Sequence, residues 1–88
     1  MKEKELEITN RLGFHARPAA LFAKEAAKYK SVITVCKDGL EINGKSVLGL
    51  LMMAAESGSR LKVRADGPDE DQALAAIAQL FQEKFQED

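Results

Sequence analysis

The chain is poor in the residues that staple or anchor a fold. Its 88 residues include one cysteine, no tryptophan, one tyrosine, two prolines and a single histidine. One cysteine excludes an internal disulfide and fits a reducing cytosol, so a cytoplasmic protein is expected. With one histidine and one cysteine, the nitrogen and sulfur ligand sets that hold zinc are out of reach, and neither metal nor cofactor is expected. No charge sign dominates. Thirteen basic residues against fourteen acidic give a formal net charge of −1, which provides no global field to recruit nucleic acid or acidic lipid. No apolar run is long enough to span a membrane. The opening Met1-Lys2-Glu3-Lys4-Glu5 is unlike a signal peptide. Repeats, linkers and low-complexity tracts are missing too, so residues 1–88 read as one domain, near the lower size limit for folding unaided.

What the sequence does have is a concentrated stretch, Asn10-Arg11-Leu12-Gly13-Phe14-His15-Ala16-Arg17-Pro18-Ala19. Gly13 permits a sharp turn. Pro18 suits the first turn of a helix, where a missing N–H costs nothing. The only imidazole is thereby expected at a helix N-terminus, among unpaired backbone N–H groups at the positive end of the dipole. Such a place suits an anion, phosphate above all.

Elsewhere the pattern is a small mixed fold. Glu5 to Thr9 alternates as a half-buried strand, with Leu6 and Ile8 inward. A helix is expected from about Ala16 to Tyr29, with Phe22, Ala26 and Tyr29 on one side and Lys24, Glu25 and Lys28 on the wetter side. Val32 to Cys36 and Leu40 to Ile42 flank Lys37-Asp38-Gly39 as a hairpin. Ser46 is a good N-cap for a short helix from Val47 to Ala55, closed by Ser57-Gly58-Ser59. Arg60 to Ala65 alternates as a fourth strand. Asp66-Gly67-Pro68-Asp69 turns into a helix from Glu70 to about Phe85, its acids favouring the dipole and its stripe made by Leu74, Ile77, Phe81 and Phe85. The order βαββαβα predicts an α+β open-faced sandwich, a four-stranded antiparallel sheet with three helices on one face. Arg60, Lys62 and Arg64 then find cross-strand partners in Glu5 and Glu7. Without interleaved aromatics that basic stripe is no nucleic-acid surface.

The stretch Gly13-Phe14-His15-Ala16-Arg17-Pro18-Ala19 resembles the active-site motif of HPr, the histidine phosphocarrier family of the bacterial phosphoenolpyruvate-dependent phosphotransferase system. Gly44-Lys45-Ser46-Val47-Leu48-Gly49 is similar to that family's second motif, at matching spacing. The resemblance covers essentially the whole chain. It implies that His15 takes a phosphoryl group through Nδ1 from enzyme I and hands it to a IIA protein or domain. It also implies that Ser46 matches a regulatory serine, phosphorylated where an HPr kinase/phosphorylase is present. The opening Leu6-Glu7-Ile8-Thr9-Asn10 and the closing Ala73-Leu74-Ala75-Ala76-Ile77 through Leu80-Phe81 and Phe85-Gln86-Glu87-Asp88 look instead like NPr, the paralogue of the nitrogen-related branch. Sugar uptake and nitrogen-linked regulation both stay open.

The chemistry of the stretch agrees. A neutral imidazole nitrogen is a nucleophile near pH 7, given an ordinary pKa of ~6.5. The helix dipole favours the neutral form by about 0.3–1 kcal/mol. Once phosphorylated, the oxygens are expected to meet the backbone N–H groups near Ala16 and Arg17 and the planar fork of the Arg17 guanidinium. An enzyme using His15 as a general base would need a matched partner, yet there is no second histidine and Cys36 falls mid-strand. Cys36 reads as structural.

The segment Val47 to Ala55 is apolar on every side, more than so small a domain buries. Leu48, Leu51 and Met52 are expected partly exposed as a docking patch, while Val47 or Leu50 can be core. Ala20, Leu21 and Lys24 are expected to join the patch from the first helix. Two classes of function stand: a monomeric relay carrier, and a regulatory adaptor that binds targets according to its phosphorylation state.

Overall fold

A computed structural model describes residues 1–86. Strand β1 spans Lys2–Glu7, α1 Ala16–Ala26, β2 Val32–Lys37, β3 Leu40–Asn43, α2 Val47–Met52, β4 Arg60–Asp66 and α3 Glu70–Gln82, followed by a short 3₁₀ turn at Lys84–Gln86. The strands form one antiparallel sheet in the order β1-β4-β2-β3. The α+β sandwich is thus the one the alternation predicts.

Alternation sorts the sheet into two faces. Ile33 and Val35 from β2 and Leu61, Val63 and Ala65 from β4 are buried under the helices. The other face carries Glu5 opposite Lys62 and Glu3 opposite Arg64. Arg60 pairs with Glu5 at 3.3 Å and Glu7 at 3.9 Å, as expected, but Arg64 lies between Glu3 at 3.6 Å and Glu41 at 3.7 Å. Such solvent-facing pairs are worth about 0–1 kcal/mol each. Arg64 also reaches the Cys36 Sγ at 3.7 Å. Burial pushes the Cys36 thiol up from its ordinary pKa, with Arg64 opposing, so Cys36 is a poor nucleophile.

All four phenylalanines meet in the core. Phe14 stands edge-on to Phe22 at 5.9 Å and to Phe85 at 5.5 Å, and Phe81 lies 4.9 Å from Phe85. Edge-to-face pairs add about 0.5–1.5 kcal/mol each beyond burial. The residue immediately before His15 is therefore anchored on both α1 and the C-terminal end of the described chain.

Helix ends differ from the sequence pattern. The first helix stops at Ala26, short of Tyr29, because Lys28 and Tyr29 donate to Glu25 and Ala26 in tighter i→i−3 bonds. Lys45 Nζ then takes the Tyr29 carbonyl at 2.7 Å. The second helix ends at Met52, before Ala55, where Ala54 turns left-handed at φ 52°. Val47 is 39% exposed whereas Leu50 is wholly buried, so of the two only Leu50 is core. The last helix ends at Gln82. Lys84, Phe85 and Gln86 are left-handed, and that reversal returns Phe85 to the core, completing the predicted stripe off the helix. The first strand runs Lys2–Glu7 rather than Glu5 to Thr9, though Ile8 is buried as expected. Glu87 and Asp88, part of the NPr-like closing residues, lie outside the described residues.

Asp69 occupies the N-cap position of α3 without a side-chain cap bond. Its carboxylate instead accepts from Ser31 Oγ at 2.5 Å, Lys30 N at 2.8 Å and Ser31 N at 3.0 Å, which ties the α1–β2 turn to the β4–α3 turn. Those bonds, the Ser31 hydroxyl first, hold it below its ordinary pKa.

Candidate functional site

The site is built on a turn. Gly13 N donates to Asn10 O at 3.2 Å, and Gly13 adopts φ 68°. A Cβ there would lie 2.5 Å from Ala55 O, so both the backbone conformation and the space exclude a side chain. Phe14 N donates to the same Ala55 carbonyl at 2.9 Å, and Ile8 pairs with Gly58 and Ser59. The His15 turn is thereby laced to the segment that leaves α2.

His15 is the N-cap residue of α1, in extended conformation at φ −108° and ψ −167°, and it is half-buried. Its carbonyl accepts Ala19 N at 3.0 Å, the first bond of the helix. Ala16 and Arg17 are the first two helical residues and Pro18 the third. The amides of an opening turn have no acceptor one turn back, and proline supplies none, so Ala16 and Arg17 carry the main-chain donors beside the imidazole. No acid occupies the first turn of α1. Ala16, Arg17, Ala20 and Lys24 are exposed and Leu21 is half-buried. Ala16, Ala20 and Lys24 follow i, i+4 spacing, a flat strip that ends in a cation.

The second motif adjoins this strip, since α2 packs against α1. Gly44 N donates to Ile33 O at 2.7 Å, and a Cβ at Gly44 would meet Ile33 Cγ2 at 2.6 Å. That close approach seats the turn from which α2 starts. Ser46 caps it as expected, its Oγ accepting Gly49 N at 3.0 Å. Leu48 and Met52 are 68% and 71% exposed, and Leu51 36%.

Two features escaped the sequence pattern. Asn10 is wholly buried and its Nδ2 donates to Gly13 O at 2.8 Å; asparagine at the first and glycine at the last position of a four-residue turn was the available signal. Leu12 is 68% exposed in the same turn and adds an apolar residue to the surface there. It had no periodic neighbour to mark it.

Two open concavities, of about 440 Å³ along β2 and β3 and about 320 Å³ on the charged sheet face, include none of the residues from Asn10 to Lys24. This fold and site define a small α+β protein that presents its one imidazole at the surface, on a helix end, with apolar residues beside it.

The family model described as the PTS HPr component phosphorylation site matches residues 2–83. The chain is 46% identical over 88 residues to phosphocarrier protein HPr of Treponema pallidum, covering 100% of both chains. Its fold superimposes on the crystal structure of HPr-C-His from Thermoanaerobacter tengcongensis with a TM-score of 0.96 at 43% identity, covering 100% of this chain and 99% of that one. A crystal structure of an HPr dimer from the same organism matches with a TM-score of 0.78 at 44% identity, covering 97% and 98%. The chain belongs to the HPr family, the phosphocarriers of the phosphotransferase system.

Proposed function

We propose that His15 is the phosphoryl carrier atom's host, charged by enzyme I at the expense of phosphoenolpyruvate and discharged to IIA proteins or domains in the cytoplasm, for sugar uptake or regulation. The observation that carries the reading is the single imidazole at the N-cap of α1, next to the amides of Ala16 and Arg17. In the step, the Nδ1 lone pair forms the N–P bond while the donor's bond to phosphorus breaks and its electron pair returns to the donor. The reverse exchange delivers the group to the IIA acceptor. The three phosphoryl oxygens meet the Ala16 and Arg17 N–H groups and the Arg17 guanidinium, a charge-assisted set on an open surface. Because solvent and partner both reach it, the anion is held without being trapped.

Ala20, Leu21, Lys24, Leu48, Leu51 and Met52 form the surface on which enzyme I and the IIA protein dock in turn, one monomer at a time. Phosphate on Ser46, from an HPr kinase/phosphorylase, adds a dianion to that surface at the start of α2. Support for this second role comes from Ser46 itself, which is only half-buried although its Oγ caps the helix. The test is transfer itself: labelled phosphoenolpyruvate with enzyme I should place one acid-labile phosphate on the peptide containing His15, and a IIA protein should remove it.

A further inference from the structure

Asn10 is wholly buried although its neighbours Arg11 and Leu12 are exposed. A buried amide is costly unless bonded, and Asn10 closes on Gly13 with its side chain and, separately, with its main-chain carbonyl. Its side-chain Nδ2 donates to Gly13 O at 2.8 Å, and its carbonyl accepts Gly13 N at 3.2 Å. The same Gly13 oxygen accepts His15 N at 3.1 Å. Ala55 O closes the opposite side, 2.5 Å from where a Gly13 Cβ would stand. The Gly13 carbonyl is therefore held between the Asn10 side chain and the His15 main-chain amide.

We propose that Asn10 is a positioning residue for phosphoryl transfer: by orienting the Gly13 carbonyl, its buried amide aims the His15 imidazole at the space in front of the Ala16 and Arg17 amides. His15 lines neither of those two concavities, and the orientation proposed for its imidazole is carried by the backbone turn. The inference rests on the phosphocarrier reading, but it concerns the imidazole's geometry and has a readout of its own. Misorientation of a reacting group by about 1 Å costs up to about a hundredfold in rate.

Asn10→Asp and Asn10→Ala test it, with phosphoramidate as a small phosphoryl donor and side-chain NMR couplings of His15 as the second readout. Near neutral pH the ionised Asn10→Asp carboxylate has no proton for Gly13 O; when protonated it donates an O–H there instead. The expected result for both folded variants is labelling slowed by about tenfold and His15 couplings averaged over rotamers. For Asn10→Asp, the rate relative to the unsubstituted protein should recover as acidification protonates the new carboxyl, and the couplings should return with it. Unchanged labelling with one rotamer, in variants whose sheet amides keep their shifts, overturns the proposal. So does a loss of rate that tracks the unfolded fraction alone. Should Asn10→Ala unfold, Asn10→Asp across the same pH range decides by itself. Failure of the unsubstituted protein to accept phosphate would sink the carrier reading, while the couplings would still judge Asn10.

Discussion

In the proposed transfer Arg17 offers the phosphoryl group both a main-chain amide and a side-chain fork, and the two are separable. Arg17→Lys keeps the charge and the amide but loses planar two-point donation. The exposed side chain predicts an unchanged thermal midpoint and a slower enzyme I-dependent transfer. An unchanged rate with a lowered midpoint would make Arg17 structural. Gly13→Ala should behave oppositely. A left-handed alanine costs about 1–2 kcal/mol before its methyl group meets the Ala55 carbonyl, so the thermal midpoint should drop along with transfer. At this scale the sequence showed the imidazole because it is singular in type, Gly13 because a turn dictates it, and Arg17 because it stands two residues after the histidine in the same motif. Asn10 and Leu12 stayed hidden. Whether a turn asparagine is buried, or a turn leucine exposed, depends on what packs over the turn, and here that is the segment around Ala55, far away in sequence.

Among the elements, α2 is the one whose surface and start are given separate jobs by the proposed function. Aspartate is as good an N-cap as serine, so Ser46→Asp should leave stability within about 0.5 kcal/mol, whereas Ser46→Ala should lose about 0.5–2 kcal/mol. Chemical denaturation measures both. Calorimetric titration with enzyme I should show weaker binding for Ser46→Asp, recovering in salt if the partner's rim is acidic, since such a rim faces Arg17 and Lys24. Equal affinity at low salt would reduce Ser46 to a cap. The elements themselves were readable from apolar period and turn residues; their ends were not. Ala26, Met52 and Gln82 end helices with no glycine to mark the stop, and beyond each end a distant group holds the chain: Asp69 takes the amides of Lys30 and Ser31, Phe14 takes the Ala55 carbonyl, and the aromatic cluster holds Phe85.

For the whole molecule, two acids at the β4–α3 turn make stability depend on pH. Asp69 is held below its ordinary 3.8 by the Ser31 hydroxyl and the Lys30 and Ser31 amides. Glu70 is held below 4.5 by the Gly67 amide and the N-terminal amine. In the unfolded chain both bind protons more readily, so their contribution is present above the ordinary carboxyl range and is lost as pH falls through the depressed folded values. The urea midpoint should therefore fall on acidification below that range. Asp69→Asn should lower it at neutral pH and flatten the acid limb; an equally steep limb would place the linkage elsewhere. The fold class was legible because strand alternation and helix stripes agree on one sheet face. The tie between Asp69 and Ser31 was not, since the acid read locally as a helix-end charge.

The central claim is that this molecule carries phosphate on His15 and nowhere else by that chemistry. Its most direct test is incubation with phosphoenolpyruvate and enzyme I, for the unsubstituted chain and His15→Ala side by side, followed by peptide mapping of acid-labile phosphate. The account predicts one acid-labile phosphate, on the peptide holding His15, and none in His15→Ala. Acid-labile label persisting in His15→Ala, or an unlabelled His15 in the unsubstituted chain, would contradict it.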